Sequence, residues 1–478
     1  MGAPRGLSCR NARTGRRPAG SALPVRSGGL SVTHGYWCEW AWTGDGERAE
    51  HGVLVEVDAG RITAMRRRPT PPDGVERLTG LTLPGLANAH SHAFHRALRG
   101  RTHAGGGSFW TWREVMYGVA ERLNPESYHR LARAVFAEMA LAGITCVGEF
   151  HYLHHGPRGE RHDDPNAMGH ALTTAAAEAG VRITLLDVCY LAGGLGQDGR
   201  YLPLSGPQLR FGDADVGAWA ERVADFSPEG DHARVGVAAH SVRAVPVADL
   251  PEVVGVADRG RLPLHVHVSE QPAENVACMT AHGRTPTRVL ADAGALTERT
   301  SLVHATHLTD ADVVDIRRSK ATVCLCPTTE RDLADGLPRT GDLMPGPLSL
   351  GTDQHVGTDL FEEARGVELH ERLRTLRRGT LGPGALLGAA TAHSSLGWTD
   401  AGVLRPGARA DLVNVSLEST RLAGADPERA LDAVIFAATA TDVRHVMVDG
   451  GWTVRDGDHL LVPDIAGELA KVIEELHT

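Results

Sequence analysis

The stretch from Leu83 to Gly100, LPGLANAHSHAFHRALRG, places three histidines within six residues directly after an apolar run. His90 and His92 stand two residues apart at the end of that run, and alternate residues of a β-strand face the same way. Both imidazoles would therefore project from one face of a strand. A single pair of this kind fits a metal site or a chance arrangement, so the choice depends on what the rest of the chain places nearby.

Short apolar runs alternate with longer amphipathic stretches from Leu81 to His355. The eight runs are LTLPGLANAH from Leu81, GITCVGEFHY from Gly143, VRITLLDVCY from Val181, VGVAAHSVRAV from Val235, LPLHVHVSE from Leu262, SLVHATH from Ser301, ATVCLCPTTE from Ala321 and PLSLGTDQH from Pro347. This alternation is typical of strand-helix units around a parallel sheet, and eight is the strand number of a TIM barrel. The predicted fold class is therefore α/β, a (β/α)8 TIM barrel.

The two ends of the chain carry a different pattern. GVLVEVDAGRITAMRR from Gly52, ADLVNVSLE from Ala410 and HVMVDGGWTVRDG from His445 contain Gly and Asp turns between alternating segments, which is typical of antiparallel hairpins. We expect the two ends to pair into a small β-sandwich that flanks the barrel. The predicted organisation is a disordered basic tail at 1–30, the β-sandwich at 31–83 plus 400–463, the catalytic barrel at 84–399 and a C-terminal helix at 464–478.

Composition limits the classes of partner. The 478 residues carry a net charge of −10 and no folded stretch concentrates Lys and Arg, which argues against nucleic acid. Seven cysteines are scattered without disulfide spacing, which indicates free thiols in the cytoplasm, and no apolar segment approaches the ~20 residues of a membrane span. The arginine-rich, acid-free first thirty residues share their composition with organelle presequences, but their lack of periodicity favours a disordered tail.

Other strand ends carry further metal-binding side chains. His267 lies near the end of the fifth run, His304 in the sixth and Asp353 in the eighth. A parallel barrel brings the C-terminal ends of its strands to one face, where barrel enzymes keep their chemistry. Imidazole and carboxylate ligands of this number suit Zn²⁺ or Fe²⁺ with one position left for water. The sequence therefore predicts a catalytic divalent-metal site at this face, with Zn²⁺ preferred.

This pattern resembles the amidohydrolase superfamily, which comprises metal-dependent hydrolases built on a (β/α)8 barrel with a flanking β-sandwich. The resemblance covers nearly the whole chain after the basic tail. It implies that His304 lies close to the bound water. The metal ligands that it implies are His90, His92, His267 and Asp353.

The resemblance also bears on the number of ions. Members with two metals need a carboxylated lysine at the end of the fourth strand. This chain has two lysines, Lys320 and Lys471, and neither lies near that position, where His240 stands instead. One divalent ion per chain follows.

Longer stretches narrow the resemblance within the superfamily. They are NAHSHAFHRALRG from Asn88, SFWTWREVMY from Ser108, GEFHYLHH from Gly148, HSVRAV from His240, HVHVSEQ from His265 and VHATH from Val303. In this order they are similar to deiminases that hydrolyse N-formimidoyl-L-glutamate to N-formyl-L-glutamate and ammonia in histidine degradation. The resemblance implies a hydrolase acting on the C–N bond of a linear amidine, with a small dicarboxylate substrate and a homodimeric assembly.

Catalytic roles follow from the chemistry of C=N hydrolysis. A divalent ion supplies hydroxide at neutral pH because it lowers the pKa of its bound water toward about 7. Glu270 lies three residues beyond His267, on the loop above the metal, and is placed to protonate the leaving amine. We expect His304 and Asp353 to orient the water and accept its proton.

A dicarboxylate substrate needs fixed cationic donors, and the planar fork of arginine matches a carboxylate. Arg113 and Arg243 are the candidates, although most arginines of any protein only solvate its surface. The resemblance implies that Tyr152 and His240 add hydrogen bonds to the ligand. His95 belongs to the same substrate site but stands where the resembled pattern has an amide, and the eighth strand has GTDQH where GSDSH is usual.

Two other functions stay open. A nucleobase or aromatic-amine deaminase of the same superfamily would share every metal ligand and would differ only in the groups that contact the substrate. A non-catalytic barrel, kept as a binding module, would first have lost its ligands. Here all the ligands implied by the resemblance are present together with Glu270.

Overall fold

The computed structural model describes residues 34–103, 109–196 and 198–478, without the side chains of Phe109 and Trp110. The predicted basic tail at 1–30 lies outside the described residues. The strands are β1 (His34–Ala41), β2 (Glu50–Asp58), β3 (Arg61–Arg67), β4 (Glu76–Pro84), β5 (Leu86–Ser91), β6 (Ile144–His151), β7 (Arg182–Cys189), β8 (Gly194–Leu195), β9 (Tyr201–Leu202), β10 (Ala233–Ser241), β11 (Leu264–Val268), β12 (Thr300–His304), β13 (Thr322–Leu325), β14 (Leu348–Leu350), β15 (Leu412–Val415), β16 (Val443–Val448), β17 (Gly451–Arg455) and β18 (Asp458–His459).

Helices connect most of these strands. They are α1 (Phe109–Arg122), α2 (Pro125–Leu141), α3 (Ala167–Ala179), α4 (Val216–Asp225), α5 (Leu250–Gly260), α6 (Pro272–His282), α7 (Pro286–Asp292), α8 (Asp310–Ser319), α9 (Pro327–Asp332), α10 (Thr340–Leu343), α11 (Leu360–Thr375), α12 (Pro383–Ala390), α13 (Ala430–Ala437) and α14 (Ile465–His477). A 3₁₀ helix, Ala93–Leu98, follows β5. Among the described residues, no helix is both long and apolar enough to cross a membrane.

The barrel is an eight-stranded sheet in the order β14-β13-β12-β11-β10-β7-β6-β5, with every neighbouring pair parallel. A parallel bridge between Ser91 and Asp353 joins its two ends. There the backbone N of Asp353 donates to the carbonyl of His90 at 3.0 Å, and the backbone N of His92 donates to the carbonyl of Asp353 at 3.3 Å. The predicted TIM barrel is confirmed.

Both ends of the chain build a second eight-stranded sheet, in the order β18-β17-β16-β15-β4-β1-β2-β3. The β2-β3 hairpin turns at Ala59 and Gly60, with φ of 47° and 79°, and a second hairpin links β16 to β17. Positive φ at both central residues is the geometry of a tight hairpin turn. β15 pairs antiparallel with β4 and so joins the two chain ends. The predicted flanking β-structure from both ends is confirmed, while the domain boundaries stay a prediction.

One predicted strand is divided between the two sheets. The run LTLPGLANAH ends β4 at Pro84 and begins β5 at Leu86, with Gly85 between them. A Cβ on Gly85 would lie 2.2 Å from Oγ1 of Thr145 and 2.9 Å from Cβ of Asp411. Glycine therefore allows the close approach at which the chain leaves the end sheet and enters the barrel. Periodicity alone does not show this division, because both halves of the run are apolar and buried.

Candidate metal centre and active site

Four buried side chains meet at the C-terminal mouth of the barrel. Their ligand atoms all lie within 4.8 Å of one another, and they belong to His90, His92, His267 and Asp353. Oδ1 of Asp353 lies 3.4 Å from Nε2 of His90 and 3.3 Å from Nε2 of His92. Nε2 of His267 lies 3.0 Å from Nε2 of His90. Tetrahedral ligands with bonds of about 2.1 Å are about 3.4 Å apart, so these residues fit a divalent ion.

Backbone carbonyls orient two of the imidazoles. Nδ1 of His92 donates to the carbonyl of Phe150 at 3.1 Å, and Nδ1 of His267 donates to the carbonyl of His240 at 2.9 Å. A carbonyl oxygen can only accept, so the proton of each ring is on Nδ1. Each Nε2 therefore faces the centre with its lone pair, which is the form that binds a metal.

Burial sets the protonation of this group. It lowers the pKa of His90 to about 3 and, together with the neighbouring histidines, holds the pKa of His267 well below its ordinary value. Burial alone would raise the pKa of Asp353, but its close contacts with His90 and His92 and the charge of His304 outweigh burial and hold that pKa well below its usual range. Neutral imidazoles and an ionised carboxylate are the forms that metal binding requires.

His304 lies among three carboxylates at the edge of this group. Its Nε2 is 3.8 Å from Oδ2 of Asp353 and 4.0 Å from Oε1 of Glu270, and its Nδ1 is 3.5 Å from Oε1 of Glu330. Burial lowers the pKa of His304, but the adjacent Glu330 carboxylate and the charges of Glu270 and Asp353 raise it to about 10. Sequence reasoning missed Glu330, although its place at the end of the seventh apolar run was the available signal.

Several residues at the strand ends have left-handed backbone conformations. The φ angles are 51° at Ser269, 68° at His304 and 44° at Asp353. For residues with a Cβ such angles cost on the order of 1–3 kcal/mol each and persist where the surroundings enforce them. At Asp353, the two backbone hydrogen bonds that close the barrel supply that constraint. Backbone strain of this kind clusters at functional sites.

A cavity of about 190 Å³ opens beside this group. The sequence-predicted site residues that line it are His92, His95, Arg113, Tyr152, His240, Arg243, His267, Glu270, His304 and Asp353. His90 is fully buried and belongs to the site through the four-residue ligand group. The structure thus brings all the predicted residues together, while the role of each stays a prediction.

Two pairs of predicted residues contact each other in the wall of the cavity. Nε2 of His95 lies 2.9 Å from Oη of Tyr152, and burial holds the pKa of His95 well below its ordinary value, so the ring is neutral. Nη2 of Arg243 donates to Oε2 of Glu270 at 3.0 Å. Arg243 therefore holds Glu270 as well as facing the cavity.

Aromatic side chains complete the wall. Cζ of Arg113 lies 5.2 Å from the ring centroid of Tyr117. The other aromatic residues of the lining are Trp112, Tyr190 and Phe211, together with the predicted Tyr152. Sequence reasoning did not assign Tyr117, Tyr190 or Phe211 to the site, because isolated aromatic residues in separate segments are more often part of a core.

The amidohydrolase family profile matches residues 81–453 of this chain. The chain belongs to the amidohydrolase family. Among its amidohydrolase relatives, it is 37% identical over 443 residues to formimidoylglutamate deiminase of Pseudomonas aeruginosa, covering 89% of this chain and 96% of the relative. It is 30% identical over 438 residues to 8-oxoguanine deaminase of the same species, covering 87% and 92%. The crystal structure of an amidohydrolase from Brucella melitensis matches with a TM-score of 0.85 and 31% identity, covering 93% of this chain and 100% of that one.

Proposed function

We propose that this protein hydrolyses N-formimidoyl-L-glutamate to N-formyl-L-glutamate and ammonia, as a step of histidine degradation. The observation that carries the proposal is a single cavity that joins the candidate metal ligands to two guanidinium groups, those of Arg113 and Arg243. Similarity to formimidoylglutamate deiminase over 89% of the chain supports the same reaction. A linear dicarboxylate amidine suits this combination, because the metal side activates water and the guanidinium groups pair with carboxylates.

We infer that one Zn²⁺ ion occupies the ligand group in each chain. Three imidazoles and a carboxylate are typical donors for zinc, and the same set accepts Fe²⁺. Bound there, the ion would supply a water molecule acidic enough to attack at neutral pH. The holding residues would be His90, His92, His267 and Asp353.

The protein's own groups then move the protons. The oxygen of the attacking water forms a bond to the formimidoyl carbon while the π electrons of the C=N bond move to the terminal nitrogen, and one proton of that water passes to Asp353, which His304 faces at 3.8 Å. Glu270 receives that proton from Asp353 and delivers it to the terminal nitrogen, which already carries the two hydrogens of the charged amidine. With three hydrogens on that nitrogen, its bond to carbon breaks and ammonia leaves, while the new hydroxyl group gives its proton to Glu270 and becomes the formyl C=O group. Arg243 keeps the Glu270 carboxylate over the cavity throughout.

Ammonia release by zinc-loaded protein tests the proposal. We expect turnover of N-formimidoyl-L-glutamate that exceeds turnover of 8-oxoguanine, guanine, cytosine and adenosine. The aromatic wall and the similarity to 8-oxoguanine deaminase favour a nucleobase deaminase as the second candidate. Turnover of a nucleobase without turnover of the amidine would replace the first function by the second.

We also propose that the protein works as a homodimer in the cytoplasm. The cysteines within the described residues are free and buried, which supports a reducing compartment. Light scattering after size-exclusion chromatography tests the assembly, and a monomer mass at micromolar concentration would contradict it.

A further inference from the structure

Gln354 directly follows Asp353 and lines the same cavity. Two groups of α9 hold it from outside the cavity. The backbone N of Gln354 donates to Oγ1 of Thr329 at 3.3 Å, and its Nε2 donates to Oδ2 of Asp332 at 2.9 Å. The residue is 5% exposed, so this amide is a built part of the wall rather than a mobile surface group.

Asp332 decides which way the amide faces. A carboxylate only accepts hydrogen bonds, so the NH₂ group of Gln354 must be the end that meets it. The second oxygen of Asp332, Oδ1, lies 2.6 Å from Nε2 of His103, so both carboxylate oxygens are engaged. Oε1 of Gln354 receives no hydrogen bond from the described part of the chain and is the polar atom that this side chain can offer to a ligand in the cavity.

A carbonyl oxygen selects for an N–H donor. In the reaction proposed above, the substrate has N–H groups on the amidine, whereas the product has a carbonyl oxygen in place of the terminal nitrogen. An amidine N–H that carries positive charge gives a stronger hydrogen bond than a neutral donor does. A formyl oxygen at the same place is itself an acceptor, so it would repel Oε1 and could not form a hydrogen bond with it. This arrangement would favour the amidine over its own hydrolysis product.

We propose that Gln354 is a specificity-determining residue whose Oε1 accepts a hydrogen bond from the amidine N–H of the substrate, with Asp332 as the positioning residue that orients the amide. The inference rests on the proposed function. Its distinctive consequence is that loss of the Gln354 amide weakens the use of the substrate without weakening binding of the product. A merely structural role of Gln354 would not produce this difference.

The experiment measures two quantities on zinc-loaded wild type and Gln354→Met: kcat/KM for N-formimidoyl-L-glutamate and the inhibition constant of N-formyl-L-glutamate. Methionine keeps the length of the side chain and removes the acceptor. We expect kcat/KM to fall by about 10- to 100-fold, as for a lost hydrogen bond to a charged group, while the product's inhibition constant does not rise. An unchanged kcat/KM, or an equal loss of affinity for substrate and product, would overturn the inference.

A double-mutant cycle tests the role of Asp332. An asparagine side chain at position 332 both donates and accepts hydrogen bonds, so either end of the Gln354 amide can then face it. Asp332→Asn should lower kcat/KM by about 3- to 10-fold when Gln354 is present and cause no further loss in Gln354→Met. Additive losses would overturn the positioning role. His103→Gln, which changes the other neighbour of Asp332, is the matched control and should stay within about twofold of wild type.

The wild-type measurement separates this inference from the proposed function. Absence of amidine turnover by the wild type overturns the proposed function and this inference together. Turnover by the wild type with no substrate-product difference in Gln354→Met overturns this inference alone. Equal zinc content in all variants shows that the neighbouring Asp353 has kept its place.

Discussion

The two oxygens of the Glu270 carboxylate have different surroundings: one accepts a hydrogen bond from Arg243, and the other lies toward the candidate metal ligands. Oε2 accepts from Nη2 of Arg243 at 3.0 Å, while Oε1 lies 4.0 Å from Nε2 of His304. Arg243 also lies 3.5 Å from Glu274 through Nε, so the guanidinium is itself positioned by a second carboxylate. An acid or base held in this way needs no reorientation when the reaction begins.

Glu270→Gln should lower kcat by about 100-fold or more and leave the metal bound. The amide can still accept from Arg243, but it cannot deliver a proton to the leaving nitrogen. Steady-state ammonia release measures the turnover, and elemental analysis of the same sample measures the metal. A variant that keeps its metal and turns over near the wild-type rate would remove Glu270 from the proton-transfer role.

Arg113→Met should raise KM for the dicarboxylate substrate by about 10- to 100-fold, with a much smaller change in kcat. The guanidinium lies in the cavity wall near Tyr117, and its loss leaves a substrate carboxylate without a cationic partner. Arg122→Met is a matched control on the same helix, because Arg122 contacts the carbonyl of Leu476 instead of the cavity. An equal rise of KM in both variants would exclude a direct contact by Arg113.

At the scale of elements, the junction of β4 and β5 sets the position of two metal-ligand candidates. β5 carries His90 and ends one residue before His92, so the strand must enter the barrel at a definite height. Gly85 permits this entry by its contact with Thr145 and Asp411. Neither neighbour moves freely, since Thr145 is buried and Asp411 is held by Arg182.

Gly85→Ala should lower the free energy of unfolding by about 1–3 kcal/mol, because the added methyl group overpacks a buried junction. The urea midpoint, with zinc present, measures this effect. Gly118→Ala is the opposite control. In the described part of the chain, no heavy atom beyond the neighbouring residues and the backbone of α1 itself lies within 4 Å of the added Cβ, so alanine should stabilise the helix by up to about 1 kcal/mol. Wild-type stability of Gly85→Ala would show that the junction can relax.

At the scale of the whole molecule, a buried ion pair joins the barrel to the end sheet. Nη1 of Arg182, at the start of β7, donates to Oδ1 of Asp411 at 2.9 Å, and the same oxygen accepts from the backbone N of Asp449 at 2.9 Å. Both paired side chains are at most 1% exposed. Removal of one partner from such a pair leaves an uncompensated buried charge and costs about 3–5 kcal/mol. The pair therefore couples the two sheets energetically.

His393, near this ion pair, gives the stability a pH dependence. Its Nδ1 donates to the carbonyl of Thr391 at 3.0 Å, and burial, with the charge of Arg182, lowers its pKa to about 4. In the unfolded chain its pKa would be about 6.5. Between these values the unfolded chain binds a proton that the folded chain does not, so the free energy of unfolding falls as the pH falls through this window. The contribution of His393 to the free energy of unfolding is fully present above about pH 6.5.

His393→Asn should weaken this dependence. The comparison is the urea midpoint of wild type and variant at pH 7.5 and at pH 5, both with excess zinc, because effects of pH on metal binding cancel in the difference. We expect the free energy of unfolding to fall more in the wild type than in the variant between the two pH values. Over the whole window the contribution of His393 to this free energy is on the order of 3 kcal/mol. Parallel losses in both proteins would contradict the role of His393.

Much of the fold and of the candidate site follows from local pattern. Eight apolar runs predicted eight barrel strands, because a strand buried on both faces needs a continuous apolar segment. The metal-ligand candidates could also be predicted from the sequence. Each lies at or next to the C-terminal end of such a run, and a parallel barrel brings those ends together on one face. Sequence spacing alone therefore located His90, His267 and Asp353 at one mouth.

The contacts between side chains were decided only by the tertiary structure. Glu330 meets His304, Arg243 holds Glu270 and Asp332 orients Gln354. No periodicity encodes these pairs, because each depends on barrel closure and on the rotamers that the packed loops allow. The amino-acid sequence by itself thus determined which face of which fold carries the polar groups. Only three-dimensional packing determined which of those groups touch, since hydrogen bonds and ion pairs act over a few ångströms while the pattern of hydrophobicity records only which residues are buried.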